Sequence, residues 1–195
     1  NTILLAGLKR LFPKDPVHSE EIVPGPEIAQ AERLWIIDPL DGTGVFLQGK
    51  DEFCILLALL IKGYPEFGVM YFPARGLYLE AARGEGAFCN GEPLHVSRSE
   101  KLRANSVYCR LSELSQKELM YPQHLDSGHA FLKLASGEIQ GLVLRLSKLR
   151  EWDLAAPTIV LEEAGGRASD VERQRVSYLP GGLPELFVAS NGLCH

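Results

Sequence analysis

The run Leu34-Trp35-Ile36-Ile37, followed at once by Asp38-Pro39-Leu40-Asp41-Gly42-Thr43, constrains this chain more than any other segment. Four consecutive apolar residues closed by a turn signal read as a buried strand. In α/β proteins ligands sit outside the carboxyl ends of such strands, and here two carboxylates three residues apart stand at that end. Their oxygens are hard donors, suited to Mg²⁺ rather than to a soft metal. If Gly42 and Thr43 open a helix, their amides can point at an anion. The same hexapeptide also reads as an ordinary Pro-Asp-Gly turn carrying solvated acids.

Further acids lie far from this turn. Glu20 and Glu21 follow Ser19, and Glu151-Trp152-Asp153-Leu154-Ala155-Ala156 stands downstream. Asp153 precedes an apolar segment that runs to Ala164 and is closed by Gly165-Gly166, a helix with an acidic start and a glycine stop. Taken singly, Asp153 reads as an N-cap and Glu20 and Glu21 as surface acids.

The rest of the chain alternates between strand and helix signals. Residues 1–12 form an amphipathic helix stopped by Pro13, and an acid-rich loop from Ser19 to Glu32 leads into the strand before Asp38. Strand-like runs Phe53–Lys62, Glu66–Phe72 and Leu77–Arg83, separated by Gly63-Tyr64-Pro65 and Pro73-Ala74-Arg75-Gly76, predict an antiparallel meander. Helical patterns then cover Ala130–Ser136 and Leu154–Ala164, with strands at Leu142–Leu146 and Leu186–Ala189. The change of pattern near residue 105 predicts two subdomains in contact: 1–105 with the Asp38/Asp41 motif, and 106–195 with Asp153.

Composition narrows the partners. A net charge of −5 without a concentrated basic tract disfavours a nucleic-acid polymer. Phe53–Ile61 is too short an apolar run to span a membrane. Cys54, Cys89, Cys109 and Cys194 have neither CxxC pairing nor regular spacing, so no zinc site or disulfide framework is predicted and a reduced, cytoplasmic setting is expected.

Taken together, the motifs resemble the inositol monophosphatase superfamily of metal-dependent, often lithium-sensitive phosphatases. The first signature reads Trp35 to Thr43 with Phe46 after it, and the second Trp152-Asp153-Leu154-Ala155-Ala156 with Glu163-Ala164-Gly165-Gly166. Between them Gly68 to Pro73 and Gly84 to Gly91 match family segments in the expected order. The resemblance implies a layered α-β-α-β-α sandwich, α+β in its first half and α/β in its second, of the inositol monophosphatase and fructose-1,6-bisphosphatase type.

It also implies a ligand set. One Mg²⁺ would be held by Glu20, Asp38 and the carbonyl of Leu40, and a second by Asp38, Asp41 and Asp153, two or three ions in all. The amides of Gly42 and Thr43 would hold phosphate oxygens, while Thr43 and Glu20 orient the attacking water. Asp126-Ser127-Gly128-His129 with Lys133 aligns with the family's substrate loop, so that Ser127 and Gly128 would contact ribose or phosphate and Lys133 would add positive charge. Lys133 equally reads as a solvated helix residue, and His129 as a structural or surface histidine.

The family also places a helix pair and a Thr-x-x-Asp loop ahead of the segment matching Asn1, and a longer stretch between Arg103 and Leu125 than this sequence has. The chain is accordingly read as part of a longer protein. Asp41 to Phe46, with Asp51-Glu52-Phe53 soon after, looks closest to the CysQ-like 3′(2′),5′-bisphosphate nucleotidase branch. The resemblance thus implies a small phosphorylated substrate, adenosine 3′,5′-bisphosphate first and an inositol or sugar phosphate second, with a homodimer possible as in many family members. A non-catalytic metal- or phosphate-binding relative is the expectation of another class.

Overall fold

The computed structural model describes residues 1–109, 111 and 117–195. The short Arg103–Leu125 stretch noted above includes residues 110 and 112–116, which lie outside the described residues.

Alternation along the chain builds the first layer pair. Strands β1 (Val17–Ser19), β2 (Arg33–Asp41), β3 (Cys54–Ile61), β4 (Tyr64–Phe72), β5 (Leu77–Ala82), β6 (Gly86–Cys89) and β7 (Glu92–Pro93) form one sheet in that order. Only β1 runs parallel to its neighbour β2; the others are antiparallel. In β3 every second residue, Cys54, Leu56, Ala58 and Leu60, is buried on the inner face. β2 is apolar without alternation because both of its faces are covered. Leu34 and Ile36 join the main core, while Trp35 and Ile37 pack with Leu8 of helix α1 (Thr2–Leu11) on the other side.

A second sheet takes β8 (Val107–Cys109), β9 (Gly141–Arg145), β10 (Arg167–Asp170) and β11 (Leu186–Ser190), in the order β10-β11-β9-β8. Two helices lie between the sheets: α3 (Ser127–Ala135) and α4 (Glu151–Glu163), with the short α2 (Thr43–Leu47) at the end of β2. α4 contacts β2 to β6 on one side and α3 and β10 on others, so it has no polar face and is apolar nearly all round. One core cluster runs from Leu34 and Leu56 through Phe131 and Ile159 to Leu142 and Phe187, uniting both sheets. The result is a layered α+β fold of helix, sheet, helix pair and sheet.

Three boundaries differ from the sequence expectation by three residues or more. β2 continues through Asp38 to Asp41 instead of ending before the acids. α3 begins at Ser127, three residues early, and α4 at Glu151, where Asp153 is not the cap but the third helical residue, accepting the Arg150 backbone N–H at 2.6 Å. Each early start is a first turn, Ser127-Gly128-His129 or Glu151-Trp152-Asp153, whose residues carry no apolar period, so periodicity cannot mark it.

Candidate active site

In a regular strand residues three apart point to opposite faces, so Asp38 and Asp41 could not share a site on an undistorted β2. The pairing shows how they do. Asp38 stands opposite Leu56 and Asp41 opposite Cys54, so three steps on β2 match two on β3 and an irregularity falls between them. Such a bulge re-aims side chains, and Pro39 inside it has no N–H for the ladder to lose. The Leu40 N–H turns inward to Asp38 Oδ1 at 2.9 Å, and the Thr43 hydroxyl donates to the Leu40 carbonyl at 3.0 Å. Gly42 joins strand to helix at φ +83°, a left-handed conformation that other residues adopt only with strain.

Helix α4 then brings Asp153 to the same place. Ligand oxygens of Asp38, Asp41 and Asp153 lie within 4.8 Å of one another. Asp38 and Asp41 are buried, and no lysine or arginine among the described residues forms an ion pair with any of the three. Burial above all, and then the neighbouring charge of Asp41, push the Asp38 carboxyl up to about 9. Burial raises Asp153 to about 7 against the opposing pull of the Arg150 N–H. Asp41 is raised by burial too, and is drawn back by hydrogen bonds from Ser127, Gly128 and Cys54. Buried acids of one sign, without a basic partner, are what a divalent cation stabilises in their ionised form. The donor set is all oxygen and fits a hard ion.

Glu20 follows β1, and because Ser19 pairs with Ile37 it stands beside Asp38, its N–H reaching the Ile37 carbonyl at 3.4 Å. Its side chain is exposed at the rim, outside the tight group of three, although its charge acts on both Asp38 and Asp153. Ser127 and Gly128 are buried against Asp41: the Ser127 hydroxyl donates to Oδ1 and the Gly128 N–H to Oδ2, each at 2.7 Å. Lys133 sits near the far end of α3, bonded to Glu138 at 2.6 Å and placed over the Tyr121 ring. The structure therefore gathers Asp38, Leu40, Asp41, Gly42, Thr43, Ser127, Gly128 and Asp153, sets Glu20 at the edge, and engages Lys133 elsewhere.

Sequence reasoning missed Cys54, whose thiol lies 3.5 Å from Asp41 Oδ2, and the group behind α3. There Arg75 reaches His129 Nε2 at 3.1 Å and Asp51 at 3.1 Å, with Glu52 3.6 Å from Arg75 and 3.7 Å from His129 Nδ1. His129 is buried, and its pKa is lowered by burial and by the Arg75 charge. A lone arginine in a turn gives no sequence signal, since its role depends on what another segment brings to it.

The sequence pattern of the inositol monophosphatase family matches residues 1–192, and the chain belongs to that family. It is similar to the histidinol-phosphatase of Chlorobaculum parvum, 32% identical over 191 residues, covering 92% of this chain and 72% of the relative. It is 31% identical over 189 residues to the 3′(2′),5′-bisphosphate nucleotidase CysQ of Escherichia coli, covering 92% and 76%. Among solved structures it superposes on a Thermotoga maritima IMPase with a TM-score of 0.83 at 28% identity, covering 100% of this chain and 76% of that one.

Proposed function

We propose that this phosphatase hydrolyses the 3′-phosphate of adenosine 3′,5′-bisphosphate, consuming one water and releasing AMP and phosphate, with Mg²⁺ as its cation. The observation that carries the catalytic part is the convergence of Asp38, Asp41 and Asp153 from a bulged strand and a distant helix. Asp38, Asp41 and Asp153, with Glu20 and the Leu40 carbonyl, would hold the ions. Bound there, Mg²⁺ would neutralise phosphate oxygens, lower the pKa of a bound water and steady the entering and leaving oxygens.

The chain's own groups do the rest. The Thr43 hydroxyl donates its hydrogen bond to the Leu40 carbonyl, so its oxygen remains an acceptor and can fix the orientation of a water whose other proton would face Glu20. The amides of Gly42 and Thr43 would hold phosphate oxygens, the left-handed Gly42 letting the backbone turn there without strain.

The nucleotide reading rests on the Asp41–Phe46 and Asp51–Phe53 segments and on the similarity to CysQ. Phe46, half-exposed one turn beyond Thr43 and edge-on to Phe53 at 4.9 Å, supplies an aromatic surface on which a base can stack. Phosphate release from adenosine 3′,5′-bisphosphate, inositol 1-phosphate, fructose 1,6-bisphosphate and histidinol phosphate, each with and without Mg²⁺ and Li⁺, tests this. A preference for the nucleotide, lost without Mg²⁺ and reduced by Li⁺, is expected. Equal or better turnover of another ester overturns the substrate; no cation-dependent release from any overturns the enzyme.

A further inference from the structure

We propose that Cys54, Ser127 and Gly128 are positioning groups for Asp41: they set the direction of its carboxylate and do not touch the phosphate ester. The inference rests on the reading of Asp41 as a cation ligand. Three donors reach this carboxylate from two other elements, the Ser127 hydroxyl on Oδ1, and the Gly128 N–H and Cys54 thiol on Oδ2. A carboxylate has about four acceptor positions. With three engaged by the protein, the position that remains has a set direction, and a carboxylate oxygen of Asp41 lies within 4.8 Å of oxygens of Asp38 and Asp153.

Hydrogen bonding separates positioning from substrate contact. The Ser127 hydroxyl and the Cys54 thiol, the latter 0% exposed, both donate to Asp41, so neither has a proton left for a phosphate oxygen. Gly128 closes the argument sterically. A Cβ there would lie 2.6 Å from Asp41 Oδ2 and against Cys54 Sγ, so only glycine lets this backbone N–H come within bonding distance of the carboxylate. The first turn that carries Ser127 and Gly128 is itself tied down from behind, through Arg75 on His129. Asp41 is therefore held from the β3 side and from the α3 side at once. Partners of this kind orient a ligand and typically change metal affinity or activity about 10–100-fold when removed.

The test compares cation binding with ester binding. Thermal shift of the substrate-free protein titrated with Mg²⁺ or Mn²⁺ gives the first, and KM for the ester at saturating cation gives the second. For Ser127→Ala the midpoint of the cation titration should rise about tenfold or more, with kcat lowered and KM within twofold of the unaltered chain. Cys54→Ala should shift the cation titration in the same direction, and Cys54→Ser, which keeps a donor, should reverse that shift. This pair decides the matter even if Ser127→Ala fails to fold. An unchanged cation titration with a raised KM makes Ser127 a substrate contact and overturns the inference. If the unaltered chain shows no cation-induced shift, the reading of Asp41 as a ligand fails instead.

Discussion

Asp41 sits in a pocket of donors, and this decides how it responds to substitution. In Asp41→Asn the amide oxygen can still accept the Gly128 N–H while the new NH₂ donates to the Ser127 oxygen, so the site keeps its hydrogen bonds and loses one charge. Turnover should fall by orders of magnitude, with the melting temperature of the cation-free protein unchanged or raised as repulsion among the acids is relieved; kcat and a thermal melt measure both. Gly128→Ala is the steric counterpart. Forcing a methyl group between Asp41 and Cys54 should cost about 1–3 kcal/mol of folding stability, read from a urea melt. The Asp38/Asp41 spacing was legible because strand, turn and hard donors coincide in one segment. Asp153 became legible only through the family resemblance, since a carboxylate in the first turn of a helix is commonplace. Cys54 had no signal at all: it lies thirteen positions from Asp41 in the chain and meets it only through the β2–β3 register.

At the scale of elements, α3 is held where Arg75, from the turn between β4 and β5, forks between His129 and Asp51. Arg75→Ala strips a buried imidazole of its partner and should cost about 1–3 kcal/mol, seen as a lower urea midpoint. Arg75→Lys should not restore it, because a single ammonium lacks the planar fork that spans both partners. The long strands β2 to β5 and the helices α1, α3 and α4 were readable from alternation or from unbroken apolar runs closed by turn signals. The strands β1, β6, β7, β8 and β10 were not, each having only two to four residues, too few to display a period. The missed β1 matters for the site, because its parallel pairing with β2 is what sets Glu20 beside Asp38.

For the whole molecule, the acidic group makes stability depend on pH and on cations. Asp38 and Asp153 keep their protons in the folded chain to about 9 and about 7, whereas the unfolded chain releases them near pH 4. Between those limits the folded state binds more protons at these two carboxyls, so their contribution to stability falls as pH rises, whereas His18, His129 and His195, lowered by burial, act oppositely below about pH 6.5. Without a divalent ion the melting temperature should therefore decline from pH 7 to pH 9. Saturating Mg²⁺ should flatten that decline, since a ligand held only by the folded state stabilises it increasingly as its carboxylates ionise. Melting curves at both pH values, with chelator and with Mg²⁺, check the sign; a rise with pH in chelator contradicts it. The layered architecture was legible through the family resemblance; the residue patterns by themselves showed a meander followed by alternating helices and strands. The single core shared by both sheets was not, because it depends on which sheets α4 and α3 pack against.

That one helix closes the acidic group also orders events during synthesis. The strands of the first sheet and both acids of β2 leave the ribosome long before Asp153 does. A nascent chain can pair those strands, but it cannot assemble the three-carboxylate grip until α4 has emerged and docked. Every intermediate stalled short of that helix lacks the third carboxylate, so a divalent cation held by all three would report the docking of α4.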